Sequence, residues 1–220
     1  MENPSHEQVM AGQADYTGFA LHFYDFLVYR ITTPFFWKCT PQRLVSLYNR
    51  HVTTNHLDVG IGSGYLLDRC DFPSQTPRIA LMDLNPNTLT FVSKRIARYN
   101  PETYLQNVLE PVSADIRKFD SIGMNYLLHC VPGTITSKSV AFDHLKALMN
   151  PGAVLFGSTL LQKGVPLTRQ AKLLLAYANK RGSFSNQEDS LEDLERALHD
   201  RFKDVSLEIV GCAAIFSGRV

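Results

Sequence analysis

The run Asp58-Val59-Gly60-Ile61-Gly62-Ser63-Gly64 sets a carboxylate and three glycines directly after a short apolar stretch. Glycines in such a turn bring bare main chain close to a ligand, and a helix starting at Tyr65 presents free N–H groups to it. A second carboxylate, Asp83, closes the next apolar stretch, where it can accept both hydroxyls of a ribose. The dinucleotide spacing G-x-G-x-x-G needs glycine at position 65, which here is Tyr65, so a pyrophosphate-bearing cofactor is disfavoured. An adenosine cofactor without a pyrophosphate satisfies both observations. The plainer alternative is a tight strand-to-helix connection, with Asp83 capping the helix at Pro86. It explains either feature alone but not the pair.

For proton transfer, His129 is the best placed of the seven histidines, because Tyr126-Leu127-Leu128-His129 carries it just past a strand end. Helix capping or packing is the competing fate of that ring. His56 falls at the start of a strand, on the wrong edge of a sheet, and His144 on a helix facing away. Cys130 beside His129 has neither a stabilising acid nor a nucleophile elbow and reads as a small buried hydrophobe. The acidic stretch from Gln187 to Arg196 reads as a solvated helix start.

The elements that must position these groups alternate between short apolar runs and longer helical ones, the pattern of β-α-β units and a mostly parallel sheet. Strands are expected at residues 56–59, 78–83, 103–107, 121–127, 153–159, 206–210 and 213–218, and helices near 42–51, 65–70, 86–99, 140–149, 168–179 and 190–202. Gly211-Cys212 alone separates the last two strands, so the final one should be antiparallel. Ahead of this lies a segment rich in aromatics, in which Phe19, Phe23, Phe26 and Tyr29 have the spacing of an amphipathic helix. Residues 1–15 are polar and aperiodic, and a frayed arm is expected there.

With 220 residues and 45% hydrophobic content, one substantial core and a single domain over 1–220 are expected. A net charge of +1 supplies no field for nucleic acid or an anionic membrane, which favours a small-molecule partner. The four cysteines are scattered, with no C-x-x-C pair, arguing against a disulfide framework or a metal site and for a reducing, cytoplasmic setting. The polar N-terminus carries no leader-like pattern, and no apolar run approaches membrane-spanning length.

D-V-G-I-G-S-G, A-L-M-D-L-N-P, Q-N-V-L-E-P, F-D-S-I-G-M-N-Y-L-L-H-C and L-M-N-P-G-A-V-L-F-G-S follow one another between about residues 56 and 159. In that order they resemble the class I S-adenosylmethionine-dependent methyltransferases, particularly those acting on metabolites. The resemblance implies a Rossmann-like three-layer α/β sandwich with a seven-stranded sheet of order 3-2-1-4-5-7-6. It implies methyl transfer from S-adenosylmethionine to a small molecule such as a secondary metabolite, releasing S-adenosylhomocysteine. Carried over by motif, Asp58 resembles the acid that organises the glycine turn near the methionine moiety, and Gly60 and Gly62 the backbone beneath the cofactor. Asp83 resembles the ribose acceptor, with Leu84 beside the adenine. The family often has an aspartate after the third strand for the adenine amino group; here Asn107, Val108 or a backbone group must substitute. Asn125 and Tyr126 end the fourth strand, where the family lines the methyl-transfer point.

The resemblance also makes residues 1–50 a helical lid over a core of 51–220. Tyr24 and Trp37 are its expected pocket residues, an aromatic face near the sulfonium being favourable by ~0.5–2 kcal/mol. His22 is a second candidate base. Methyl transfer is an in-line displacement that chiefly requires alignment in a water-poor site. Three other functions compete. A nucleic acid or protein methyltransferase is disfavoured by the charge and by Asn125-Tyr126-Leu127-Leu128 standing where DNA amino methyltransferases carry N-P-P-Y. A protein that binds the cofactor without transferring its methyl would share the same turn. An NAD-type oxidoreductase is disfavoured by the glycine spacing.

Overall fold

The computed structural model describes residues 25–220; His22, Tyr24 and the aromatic positions before them lie outside the described residues. Seven strands form one sheet: β1 (Asn55–Val59), β2 (Arg78–Asp83), β3 (Glu102–Leu105), β4 (Phe119–Asn125), β5 (Met149–Leu160), β6 (Lys203–Val210) and β7 (Ala213–Arg219). Their order is β3-β2-β1-β4-β5-β7-β6. Neighbours are parallel up to β5, whereas β7 runs antiparallel to both β5 and β6. This is the order the methyltransferase resemblance implies.

Strand alternation divides the apolar side chains between two cores. Leu57, Val59, Ala80 and Met82 face one, which is covered by α4 (Ile135–Lys138), α5 (Val140–Ala147) and α7 (Leu191–His199). Ile79 and Leu81 face the other, covered by α1 (Pro41–His51), α2 (Tyr65–Arg69), α3 (Pro86–Arg95) and α6 (Arg169–Lys180). Helices therefore lie on both faces, giving the expected three layers.

Differences from the sequence expectations have local causes. β4 ends at Asn125, not residue 127, because Tyr126 takes a left-handed φ of +52°. β5 starts early, and a register break between Phe119 and Ser121 of β4 absorbs the turn Asn150-Pro151-Gly152. Helix α4 was not expected; Thr134 and Ser137 cap it reciprocally, but the usual signature would carry Glu or Gln at the second position. Helix α1 packs on β5 and α2 through Leu44, Leu47 and Tyr48, so the proposed lid boundary at residue 50 cuts through a helix built into the core.

The stripe expected to include Phe26 and Tyr29 is not kept. Phe26–Phe36 is a π-helix, closed by an i→i+5 bond from Trp37 N–H to Thr32 O at 3.0 Å. Pro34 has no N–H to give the ladder, and the Thr32 hydroxyl reaches back to the carbonyls of Leu27 and Val28. The wider turn buries Tyr29 and Thr33, while Phe26 is 57% and Phe35 65% exposed. Among the described residues no helix is long and apolar enough to cross a membrane.

Candidate active site

The strand ends β1 and β2 and the glycine turn between them form one hydrogen-bonded unit. Gly60, Gly62 and Gly64 all have positive φ, at +65°, +52° and +72°. A Cβ at Gly60 would lie 2.6 Å from Leu127 Cδ1, so this turn needs glycine for both its φ and its packing. Gly60 N–H donates to Met82 O at 2.9 Å. Asp83 Oδ2 accepts from Ile61 N–H at 3.1 Å and Oδ1 from Asn85 N–H at 2.9 Å. Asn85, not Asp83, caps α3 by accepting from Asn87 N–H. Each Asp83 oxygen keeps a lone pair for a further donor.

Holding the turn was expected of Asp58, but Asp58 accepts the Tyr48 hydroxyl from α1 at 2.9 and 3.1 Å instead. The turn is tied by Asp83. Tyr48 carried no sequence signal of a polar role, because at helical spacing from Leu44 it reads as core. Burial pushes the Asp58 carboxyl up to about 7, against the opposing Tyr48 hydrogen bond. Burial likewise raises Asp83 to about 6, with the Asn85 and Ile61 amides pulling the other way. A carboxylate held at such a value is one whose charge the protein solvates incompletely, as expected where a ligand supplies the remaining donors.

Two cavities meet at this unit, sharing Gly60, Gly62 and Tyr126 on their walls. The outer cleft, about 730 Å³ including its open mouth, is lined by Asp83, Leu84, Asn107 and Val108 as expected. Thr88, Gln106 and the chain at Cys130-Val131-Pro132 also line it and were not foreseen. Gln106 and Cys130 stand inside motifs and were within reach of the sequence; Thr88, Val131 and Pro132 arrive only by folding. The inner cavity, about 390 Å³, is polar and bounded by Tyr29, Tyr48, Asp58 and Asn125.

The side chain of Asn107 is used locally, accepting from Leu109 N–H at 3.0 Å and donating to Glu110. Val108 O is matched with His144 Nδ1 at 3.0 Å, which gives that histidine a structural use.

His129 does not reach either cavity wall. It is 3% exposed, packed edge-on against Phe184 with ring centroids 4.5 Å apart. Leu160 N–H donates to its Nδ1 at 3.4 Å, which leaves the proton on Nε2. Burial, and secondarily Lys138, lowers its pKa to about 3. With its lone pair committed and burial lowering its basicity, the ring packs in the core and does not stand where the base role expected it. Trp37, expected as a pocket residue, is buried beside Phe36 and Phe184, its carbonyl accepts from Cys212 N–H at 3.2 Å, and it does not line either of these two cavities.

A nucleoside joined to an amino acid fits this pair of cavities. Leu84, Met82 and Val108 supply apolar walls for a base, and Asp83 offers two lone pairs to ribose hydroxyls. Three buried polar atoms on these walls, Thr88 Oγ1, Asn125 Nδ2 and Tyr126 Oη, have no hydrogen-bond partner among the described residues. A ligand's carboxylate or hydroxyl oxygens would satisfy them.

Residues 36–203 match the family model described as a methyltransferase domain. The chain belongs to that family and is a methyltransferase. It is 44% identical over 210 residues to demethylluteothin O-methyltransferase of Streptomyces thioluteus, covering 96% of this chain and 91% of the relative. It is also 34% identical over 207 residues to the physcion biosynthesis cluster O-methyltransferase of Aspergillus chevalieri, covering 93% of each. The solved DhpI–SAH complex shares the fold, with a TM-score of 0.65 at 16% identity over 99% of this chain and 98% of that one.

Proposed function

We propose that this chain transfers a methyl group from S-adenosylmethionine to an acidic hydroxyl of a small metabolite, releasing S-adenosylhomocysteine. The observation that carries the reading is the joined pair of cavities between the Asp58 and Asp83 strand ends, with the glycine turn between them. When bound, the cofactor supplies a methyl carbon already activated by positive sulfur. Asp83 accepts the ribose hydroxyls, Leu84 and Val108 flank the adenine, and Asn107 shapes that wall through its turn. Asn125 and Asp58 take the two charged groups of the methionine end, the Asn125 amide donating and the Asp58 carboxylate accepting. Gly60 and Gly62 give the cofactor bare backbone, and Tyr126 stands where the two cavities join. The 44% identical relative is named an O-methyltransferase, which supports a hydroxyl acceptor.

No histidine lines either cavity among the described residues. An enol or phenol acidified by conjugation to a carbonyl, ionised near neutral pH, gives its proton to solvent before transfer and then needs only alignment. With two such acceptors of different acidity, the rise of kcat/KM with pH should follow each acceptor's own pKa. His129→Asn should leave that rise in place. A rise shared by both acceptors and lost in His129→Asn would restore the histidine as base.

Asp83 adds a second pH effect. The carboxylate, not the acid, accepts two hydroxyls, so affinity is present above about 6 and lost as pH falls through that value. Of the weakening of S-adenosylhomocysteine binding that calorimetry should find between pH 7.5 and pH 5, roughly a tenfold part belongs to Asp83, pH 5 lying about one unit below its pKa, and the remainder to Asp58. Asp83→Asn should remove this part of the dependence.

The deciding experiment follows label from methyl-labelled S-adenosylmethionine, offered with hydroxylated aromatic and pyrone acceptors. Label in an organic-extractable product supports the reading. Label in bulk RNA, DNA or protein, or none with any acceptor despite tight cofactor binding, overturns it.

A further inference from the structure

We infer that Asp25 and Arg95 are positioning residues for the cofactor, locking the glycine turn against the N-terminal π-helix so that the turn is already shaped when S-adenosylmethionine binds. This rests on the cofactor reading above and adds a residue pair that no motif in the chain marks. Asp25 immediately precedes the π-helix. One of its carboxylate oxygens accepts the hydroxyl of Ser63, which sits between Gly62 and Gly64 in the turn. The other accepts from Arg95 Nη1 at 2.7 Å. The same guanidinium nitrogen donates to Ser63 O at 3.0 Å, and Arg95 Nε donates to Asp68 of α2 at 3.1 Å. One arginine on α3 thus fastens together the π-helix, the main chain of the turn and the helix that follows it.

A second contact runs in parallel. Tyr29 of the π-helix stacks on Tyr65, the first residue of α2, with ring centroids 4.1 Å apart and planes 13° from parallel. The Arg69 guanidinium lies 3.8 Å from the same ring centroid. At such separations the two must cover opposite faces of Tyr65. Tyr29 is in turn part of the inner cavity wall, so the seat of the π-helix and the shape of that cavity are linked.

The turn needs such a lock because three of its five residues are glycines at positive φ. Unfastened, they would sample other conformations and lose that freedom when a ligand bound, at the expense of affinity. The Asp25–Arg95 pair is suited to the task, its side chains being 27% and 18% exposed and so partly shielded from salt and water. Neither residue stands on a cavity wall, so their effect on the ligand passes through Ser63.

The test is calorimetric titration of S-adenosylhomocysteine into wild type, Asp25→Ala, Arg95→Gln, the double variant and Asp25→Glu, with ligand-free melting temperatures measured alongside. Each single variant is expected to bind about tenfold more weakly at an almost unchanged ligand-free melting temperature. The double variant should also bind about tenfold more weakly and not a hundredfold, since either change breaks the same link. Asp25→Glu should recover part of the loss. Wild type that fails to bind overturns the cofactor reading itself. Wild type that binds, with single variants equally tight, with fully additive losses, or with ligand-free stability falling in proportion, overturns the lock alone.

Discussion

Lys138→Met should cost about 3–5 kcal/mol of unfolding free energy, the range for breaking a buried ion pair by removing one partner. Lys138 and Asp189 are both 0% exposed, joined by an Nζ–Oδ2 contact of 2.7 Å. The ammonium also donates to Ser185 O, and the Asp189 carbonyl accepts from Gln162 and Lys163 at the end of β5. Ser185 itself donates through N–H to His129 O at 2.8 Å, and its hydroxyl accepts from Gly133 N–H. The pair therefore fastens the α6–α7 connection to the chain that forms the cleft wall at residues 130–132. Methionine is one atom shorter than lysine but close to it in volume, so the loss would come mainly from charge and hydrogen bonding.

Burial raises the Asp189 carboxyl and lowers the Lys138 ammonium, with their mutual attraction opposing both shifts. Without the lysine, Asp189 should rise further. A folded-state pKa above the unfolded one adds stability as pH falls, so Lys138→Met should be less destabilised at pH 5 than at pH 8. Denaturant titration at both values checks this. Adding Asp189→Asn should restore part of the loss by removing the stranded charge. A loss under about 1 kcal/mol, the size expected of an exposed pair, would mean that water reaches the pair in solution.

Asp83→Ala should weaken S-adenosylhomocysteine binding by about 1–3 kcal/mol, the cost of stranding buried hydrogen-bonding groups. That corresponds to roughly 5- to 150-fold in Kd. Two losses combine in this variant. The ribose hydroxyls lose their acceptor, and Ile61 N–H loses the oxygen that ties the turn to β2. Asp83→Asn separates them, since its carbonyl oxygen can keep one backbone donor while the charge is gone. The asparagine variant should lower the ligand-free melting temperature less than Asp83→Ala, because one of the two backbone donors is kept, yet still lose affinity. Equal affinity in wild type and Asp83→Ala would end the ribose assignment.

Much of the cofactor side was legible because its parts are local. A strand end, a glycine turn and a helix start are contiguous in the chain, and φ values that only glycine adopts easily leave a mark in the composition. Asn85 before Pro86 caps α3, a pairing of side-chain acceptor and fixed φ that is equally local. The acceptor side was less legible. His129 was singled out for its type and its place past a strand end, and Trp37 as an aromatic of the implied lid, but their surroundings are supplied by Phe184, Leu160 and Cys212 from distant segments. Those neighbours bury both rings, and neither lines the two cavities.

From its own text the chain determined the alternation of strands and helices, the place of the glycine turn and the two carboxylates at neighbouring strand ends. All of these follow from periodicity and backbone preference within a few residues. Tertiary structure decided which carboxylate holds the turn, and that Tyr48 answers Asp58. It also decided that one arginine joins three elements, and that a lysine and an aspartate can be buried together. Each is a meeting of residues far apart in sequence, where burial and charge are set by what the fold brings alongside.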